Sequence, residues 1–415
     1  MGFFSPRLGR IKHSPSNAAT QKVRELRGQG RDIIGLTIGE PDFPTPDNVK
    51  RAVAEAMARD DTRYTTVDGT DEMKDAARLK FKRENGLVYA REQITVANGA
   101  KQIVFNAMMA TLSTGDEVLI PAPYWVSYLD MALVADGTPV AITCSEDNGF
   151  KLTPVQLAAA ITPRTKWLVL NSPSNPSGGA YTRAELTAIA EVLLRHPHVW
   201  MMSDDIYEKI RYLDTPFPTM AKVVPEMAAR TLTINGVSKT FAMTGWRCGY
   251  GAGPAELIRG VNLVQGQSVS HTSSVTQAAA IAALDGPMDF LPPFVAAYRR
   301  RRDLVVEAYR RRRDLVVAAM KGIEGIECSV PDGAFYVFPG CTALLGRSTP
   351  KGKVIATDLD LCMYFLEEAG VATVPGSAFE LPGHFRISYA AGDDELKEGM
   401  KRLAAACANL KNKRT

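Results

Sequence analysis

The chain is predicted to be an α/β protein with a parallel sheet, because short apolar runs alternate with amphipathic segments of helical period. The runs are rich in β-branched and aromatic residues, and polar or glycine-containing sequence follows each of them. The clearest predicted strands are Gln93–Ala97, Glu117–Ile120, Trp167–Leu170, His198–Met202 and Thr231–Ile234. Ligands of parallel sheets bind at the carboxyl ends of the strands. The residues that follow these runs are therefore the first candidates for a functional site.

Length and composition favour a large enzyme over a nucleic-acid or membrane protein. With 415 residues, of which 46% are hydrophobic, the chain can bury the cores of two domains. A net charge of +4 is mild, and no basic stretch is interleaved with aromatic residues, so no nucleic-acid partner is expected. The six cysteines lack metal-type or CxxC spacing, which is typical of reduced thiols in a cytoplasmic protein. No signal-peptide core and no membrane-spanning apolar run is present, so a cytoplasmic, soluble protein is expected.

Each predicted strand is followed by residues that could act on a ligand. Read singly, an aspartate after a strand is most often a helix cap, Asn-Pro a turn, and a lone lysine a surface residue. Together they predict one site at the strand ends. The residues are Gly99, Ala100, Lys101, Trp125, Asn175, Asp204, Tyr207 and Lys239. Lys239 follows its strand through a glycine among small and apolar residues, and desolvation there would lower its pKa, as a Schiff-base lysine requires.

Pyridoxal phosphate (PLP) chemistry accounts for this set, since it needs a lysine, an anion facing the pyridinium nitrogen and backbone N–H groups around the phosphate. The chain resembles the fold-type I, class I aminotransferases, in the bacterial aspartate aminotransferase subgroup that includes prephenate aminotransferases. The resemblance runs from about Ile11 to Leu403. It rests on IGEPDF (Ile38–Phe43), YTTVDGTDEMK (Tyr64–Lys74), PYWVSY (Pro123–Tyr128), NSPSNPSG (Asn171–Gly178), SDDIYE (Ser203–Glu208), SKTFAMTGWRCGY (Ser238–Tyr250) and FRISYA (Phe385–Ala390).

The resemblance implies a large domain with a mostly parallel seven-stranded sheet flanked by helices, and a smaller α+β domain. The expected division places an N-terminal arm and part of the small domain in residues 1–46 and the large PLP-binding domain in residues 47–290. Residues 291–415 would form the interdomain helix and the rest of the small domain. The break coincides with Gly286–Pro293, which is rich in glycine and proline.

For the cofactor, pyridoxal 5'-phosphate, the resemblance implies three catalytic residues. Lys239 would carry the cofactor and move the substrate α-proton, and Asp204 would face the pyridine nitrogen. Tyr207 and Asn175 would hydrogen-bond the 3-oxygen of the ring, and Trp125 would stack on the ring.

The phosphate would be held at a helix start, by resemblance, through Gly99, Ala100 and Lys101, with charge from Arg247. Tyr64 would reach the phosphate of the neighbouring subunit, which implies a homodimer with shared active sites. Many relatives carry a serine three residues before the lysine, where this chain has Gly236. One phosphate hydrogen bond is therefore in question.

For the substrate, Arg386 would clamp the α-carboxylate in planar, bidentate geometry, with Gly39, Trp125 and Asn175 beside it. The second carboxylate of an acidic substrate needs another cation. Lys101 is the family's candidate, together with Lys12 and Ser16 of the N-terminal arm. A flexible arm lysine remains an equal interpretation of Lys12.

The expected function is transfer of the amino group of aspartate and related acidic amino acids to 2-oxoglutarate in a PLP ping-pong cycle. The expected partners are amino acids and 2-oxo acids. Alternatives are a prephenate or broader-specificity aminotransferase, a PLP-dependent carbon–sulfur lyase, and a non-catalytic descendant used as a binding module. A dinucleotide loop at Gly249–Gly253 lacks the required helix start and acidic residue. The histidines show no metal-like clustering, and Asp205 is expected to be an exposed acid at a helix start.

An eleven-residue tandem repeat stands apart from the resemblance. Tyr298–Ala308 reads YRRRRDLVVEA and Tyr309–Ala319 reads YRRRRDLVVAA, within a predicted long helix, Phe294–Met320. Eleven residues make about three helical turns and preserve the apolar face within ~20°. They also add about 16 Å of length. The second copy is therefore expected to keep the helix position, with the first displaced as an exposed extension or loop.

Overall fold

A computed structural model of the protein describes residues 3–11, 15–37, 39–319, 326–328 and 335–411, with the side chains of 15–19, 306–319 and 393 left aside. The helices of this part are α1 Pro15–Gly28, α2 Asp47–Ala58, α3 Asp71–Lys80, α4 Ala100–Thr111, α5 Ser127–Val134, α6 Pro154–Ala160, α7 Arg183–Leu194, α8 Met220–Val223, α9 Val237–Thr240, α10 Ala255–Ser268, α11 Ser274–Asp285, α12 Leu291–Ala319, α13 Asp358–Ala369 and α14 Asp393–Ala408. The strands are β1 Ile34–Gly35, β2 Ile94–Ala97, β3 Glu117–Ala122, β4 Thr138–Thr143, β5 Thr165–Asn171, β6 Trp200–Asp204, β7 Thr231–Gly236, β8 Gly249–Ala252, β9 Tyr336–Val337, β10 Val371–Ala372, β11 Val374–Pro375 and β12 Phe385–Ser388.

The largest sheet has seven strands in the order β2-β8-β7-β6-β5-β3-β4. Strand β8 is antiparallel to both of its neighbours, and the other adjacent pairs are parallel. Every residue of β2, β7 and β8 is buried, as expected for a sheet that is covered on both faces. The predicted mostly parallel, seven-stranded sheet is confirmed, and the five predicted strands correspond to β2, β3, β5, β6 and β7.

Alternate residues of the strands pack on opposite faces of this sheet, because side chains alternate along a strand. Trp167 and Val169 of β5 pack with helices α4, α5 and α10 on one face. Leu168 and Leu170 pack with α7 on the other. These two layers fix the sheet between helices, so the ends of its strands form a stable edge for side chains.

Two smaller sheets lie outside the seven-stranded one. Strand β12 pairs antiparallel with β11 and β9, and β1 pairs parallel with β10 through Ile34↔Val371 and Gly35↔Ala372. The pairing of β1 with β10 brings the N-terminal segment against the C-terminal third of the chain. The division at 46/47 and 290/291 stays a prediction.

The tandem repeat lies in α12, a 29-residue helix, and the first copy is not displaced. Tyr298 and Val305 of that copy are 1% and 0% exposed, and Arg301 forms an ion pair with Asp42 at 2.6 Å. The expectation of an exposed first copy is wrong, because its tyrosine and valine fill the core beside β9, including the ring of Phe335 at 5.4 Å from that of Tyr298. The helical backbone continues through the second copy to Ala319.

Candidate active site

A cavity of about 520 Å³ lies at the carboxyl ends of β3, β5, β6 and β7 and the start of α4. Its other side is formed by the segment before α2 and by the short strands β9 and β12. The structure places ten of the sequence-predicted site residues on its lining: Gly39, Ala100, Lys101, Trp125, Asn175, Asp204, Tyr207, Lys239, Arg247 and Arg386. The structure therefore brings these ten residues together at one cavity.

Lys239 projects into this cavity from α9, a single helical turn that follows β7 directly. Its ammonium donates a hydrogen bond to the carbonyl oxygen of Gly39 and lies 5.8 Å from the ring centre of Tyr207 and 5.7 Å from that of Phe335. Desolvation by these surroundings lowers the pKa of Lys239 to about 8. A neutral amine is therefore accessible near physiological pH, as a nucleophilic or proton-transferring lysine requires.

Asp204 ends β6 with its carboxylate at the cavity, and only 4% of the residue is exposed. One carboxylate oxygen accepts a hydrogen bond from the Tyr128 hydroxyl at 2.5 Å and the other from the Ile206 amide at 3.3 Å. Burial raises the pKa of Asp204 to about 6, while both hydrogen bonds and the charge of Lys239 lower it. The site thus holds a buried carboxylate that stays ionised at neutral pH.

Asp205 is buried, at 2% exposure, which contradicts the expectation of an exposed acid at a helix start. Its carboxylate accepts hydrogen bonds from the hydroxyls of Ser203 (2.8 Å) and Thr219 (2.6 Å). Successive residues of an extended strand point to opposite faces, so the residue after Asp204 turns away from the cavity. Burial raises the pKa of Asp205 to about 8.

Arg386 reaches the cavity from β12 and is 4% exposed. Its guanidinium donates to the side-chain oxygen of Asn175 at 3.0 Å and to the carbonyl of Thr37 at 2.8 Å, and it lies over the rings of Tyr336 and Phe379. Its Nε has no hydrogen-bond partner within the described part of the chain. A buried donor without an acceptor lowers the stability of the folded protein unless a ligand accepts its hydrogen bond.

The start of α4 forms a cradle that depends on two glycines. Gly99 precedes the helix with φ of 92°, and a Cβ at this position would overlap the Arg247 guanidinium. A Cβ at Gly249 would overlap the amide nitrogen of Ala100. The first N–H groups of a helix lack intrahelical partners. Arg247 is held beside them by hydrogen bonds to backbone carbonyls, so amides and guanidinium together form an anion site.

Gly236 lies at the end of β7, where space is limited. A Cβ there would meet the Cys248 carbonyl oxygen at 3.1 Å and the Gly249 Cα at 3.2 Å. A serine at position 236 would therefore require its neighbours to shift. Ser238 lines the same cavity, one residue before Lys239.

Of the four other predicted residues, Gly99 and Tyr64 are described and do not line the cavity. Gly99 is the residue before Ala100 at the start of α4, and Tyr64 is 92% exposed, with its ring edge-on to His271. Lys12 lies outside the described residues. Ser16 belongs to α1, but its side chain lies outside those described.

Several lining residues were not singled out from the sequence. Tyr128 lies three residues after Trp125 in the motif PYWVSY, and Glu40 follows Gly39 in the motif IGEPDF. The sequence motifs could therefore have identified both residues. Thr20 and Arg24 share a face of α1 as an i, i+4 pair. Three further lining residues come from distant parts of the chain and carry no local signal: Thr37, Tyr336 and Phe379.

The family model for aminotransferase class I and II matches residues 31–403. The chain belongs to this family. The aspartate aminotransferase of Rhizobium meliloti (strain 1021) is 55% identical over 389 residues, covering 94% of this chain and 92% of the relative. The aspartate/prephenate aminotransferase of Cereibacter sphaeroides is 53% identical over 410 residues, covering 99% and 100%.

Solved structures of aspartate aminotransferases have the same fold as this aminotransferase. The Rhizobium meliloti structure matches with a TM-score of 0.93 and 52% identity, covering 99% of this chain and 100% of that one. The Thermus thermophilus enzyme with maleate matches with a TM-score of 0.88 and 38% identity, covering 98% and 100%. Within the described residues, we find no helix long and apolar enough to cross a membrane and no metal-type cluster of side chains.

Proposed function

We propose that this aminotransferase moves the amino group of aspartate to 2-oxoglutarate and uses pyridoxal 5'-phosphate. The main support for this proposal is that one cavity holds the desolvated amine of Lys239, the buried carboxylate of Asp204 and the buried guanidinium of Arg386, whose Nε has no partner among the described residues. The names of the relatives support the same activity. Prephenate is a second candidate substrate, favoured by the name of the Cereibacter sphaeroides relative.

The residues on the cavity lining fit the cofactor. The α4 cradle with Arg247 suits its phosphate, Asp204 suits a protonated ring nitrogen, and the ring of Trp125 offers a stacking face. Tyr207 and Asn175 supply polar groups for the ring oxygen. When bound, pyridoxal phosphate supplies an aldehyde that condenses with amines and a ring that withdraws electrons from the substrate α-carbon.

The chain's own groups would then perform distinct tasks. Asp204 keeps a ring nitrogen protonated because its buried negative charge favours the cation beside it. Lys239 holds or moves a proton at its Nζ, which its lowered pKa allows. Arg386 orients a carboxylate through its fixed guanidinium plane. The aromatic rings of Tyr336 and Phe379 hold that plane and exclude water.

The charge of the lining favours acidic substrates. Among the described residues, five cationic side chains line the cavity, against the two carboxylates of Glu40 and Asp204; the cations are those of Arg24, Lys101, Lys239, Arg247 and Arg386. Maleate, named with the Thermus thermophilus structure, is itself a dicarboxylate. Lys101 lies with its ammonium 5.3 Å from the ring centre of Trp125. We assign it, with Lys12 and Ser16 of the arm, to the distal carboxylate.

We also propose that the protein is a homodimer and that it is located in the cytoplasm. The exposed Tyr64 is 92% accessible in the single chain, as a residue that reaches the phosphate of the other subunit would be. The two-domain division at residues 46/47 and 290/291 belongs to the same proposal, with the cavity between the large sheet and the small sheets.

The proposal is tested by assaying purified protein for oxaloacetate formed from aspartate, with and without 2-oxoglutarate. We expect oxaloacetate only when 2-oxoglutarate is present, together with stoichiometric glutamate. Pyruvate or sulfide released from cysteine-type substrates without an acceptor would instead indicate the lyase chemistry. Prephenate as acceptor, with glutamate or aspartate as donor, tests the second candidate in the same assay.

A further inference from the structure

We propose that Tyr128 is a positioning residue that keeps the Asp204 carboxylate ionised and aimed at the ring nitrogen of the cofactor. The inference rests on the proposed function, because it gives Tyr128 a task in holding that cofactor. It concerns a residue outside the set predicted from the sequence, which acts through another side chain.

Tyr128 and Asp204 form a buried, hydrogen-bonded pair. Tyr128 and Asp204 are 2% and 4% exposed, and the phenol hydroxyl donates to the carboxylate at 2.5 Å. The ring of Tyr128 also meets that of Trp125 edge-on, with centroids 5.2 Å apart. One short segment before and within α5 therefore positions both the stacking face and the donor to the carboxylate.

Asp204 is surrounded by titratable groups that influence its charge. The groups that interact with it are Lys239 from α9, Tyr207 from the segment after β6, and Tyr128 from α5, while Asp205 acts on Tyr128. Burial disfavours the charged carboxylate, and the Tyr128 hydrogen bond opposes that effect. Burial also raises the pKa of Tyr128 well above its usual range, so this hydroxyl remains a neutral donor wherever the enzyme works.

The same segment offers a matched control. Tyr124 lies four residues earlier and is 4% exposed, but its hydroxyl has no hydrogen-bond partner among the described residues. Tyr124→Phe and Tyr128→Phe remove the same atom from similarly buried rings. Only the second change removes a donor from Asp204.

The test is binding of pyridoxal phosphate to the apoprotein, measured by tryptophan fluorescence between about pH 5 and about pH 9, which spans the titration of Asp204. Tyr128→Phe should weaken binding about tenfold, as expected for a lost hydrogen bond to a charged group. The loss of affinity on acidification should also begin at higher pH, because the carboxylate is protonated more readily. Tyr124→Phe should match the unmodified protein in both respects.

A background of Asp204→Asn makes the test specific. There Tyr128→Phe should have no further effect on binding or its pH dependence, because no carboxylate remains to be kept ionised. If Tyr128→Phe does not fold, 3,5-difluorotyrosine at position 128, a stronger donor, should move the acidic inflection to lower pH. Equal binding curves for the two phenylalanine variants, an unchanged effect in the Asp204→Asn background or no movement with difluorotyrosine would overturn the inference. Failure of the unmodified apoprotein to bind pyridoxal phosphate would instead overturn the proposed function.

Discussion

The two walls of the cavity are built in different ways. On the large-sheet wall, Asn171, Asp204 and Ile234 are register partners on adjacent parallel strands, so backbone hydrogen bonds fix the spacing of the groups that follow them. On the opposite wall, Tyr336 and Arg386 come from strands of two and four residues. The groups assigned to the cofactor are thus positioned within one sheet, whereas the groups assigned to the substrate depend on how two regions of the chain pack together.

Contacts across the cavity join these walls. The Lys239 ammonium donates to the Gly39 carbonyl, and Arg386 donates to Asn175. The connection through the chain is α12, which contains the repeat. Substitutions on the large-sheet wall should therefore abolish catalysis. Substitutions on the opposite wall should alter substrate orientation, protein stability or substrate selectivity.

The largest effect is expected for Lys239 on the large-sheet wall. Lys239→Ala should lower kcat by about 10⁴-fold, because the group that moves the proton is removed. Borohydride reduction with peptide mapping should place a pyridoxyl label on Lys239 alone. Lys397→Ala, which changes a lysine with a 61% exposed side chain on α14, is the control and should retain full activity. A label on another lysine would contradict the assignment.

On the opposite wall, Arg386→Lys should lower kcat/KM for aspartate by about 10²-fold. A lysine keeps the charge but loses the planar fork that matches a carboxylate. Cofactor binding should change little, since Arg386 is assigned to the substrate. Arg402→Lys, at a surface ion pair with Asp32, is the matched change. Equal losses in both variants would mean that Arg386 has a structural task.

The connection between the walls is tested by paired changes in the repeat. Tyr298→Ala should lower the free energy of unfolding by about 3–5 kcal/mol, as for other large core side chains. Tyr309→Ala should cost much less, because Tyr298 already occupies the core site. Denaturant unfolding measures both. A larger loss for Tyr309→Ala would show that the second copy fills the core.

The smallest effect is expected at Lys101. Lys101→Ala should raise KM for aspartate about tenfold, equivalent to ~1.4 kcal/mol, and should leave KM for an apolar amino acid nearly unchanged. Arg24→Ala is the control, because Arg24 also lines the cavity but has no assigned role. It shows whether the loss of any positive charge from the lining raises KM for aspartate in the same way. Equal losses for acidic and apolar substrates in Lys101→Ala would assign that lysine to the phosphate or the fold.

The sequence predicted the large-sheet wall well, because strand, strand end and functional residue lie within a few positions of each other. Lys239 after β7 and Asp204 at the end of β6 follow directly from that pattern. The pattern does not reveal whether a polar residue faces the cavity or turns away, so it predicts an exposed Asp205 although this residue is buried. Its partner Thr219 is 14 residues distant along the chain.

The opposite wall was predicted only where a motif of the family reached it. Arg386 and Gly39 were found in this way, whereas Tyr336 and Phe379 depend on tertiary packing of short strands. The repeat was misassigned for a similar reason. Periodicity shows that either copy can present the apolar stripe, but it cannot show which of two nearly identical segments meets Phe335.

The buried first copy of the repeat has a consequence for how this chain selects its native state. Deleting residues 298–308 or 309–319 leaves chains that differ only by Glu307 or Ala318 at one position, so a deletion cannot identify the redundant copy. The same near-identity gives the core two almost equivalent segments to choose from. Native sequences normally separate the correct arrangement from its competitors by a wide energy gap. Here the competing arrangement places the second copy, eleven residues further along the chain, against the core. Because the two copies are almost identical, the energy difference between the two arrangements depends on how well each one accommodates the flanking sequence. Equal stability losses at Tyr298 and Tyr309 would be the signature of a chain that populates both arrangements.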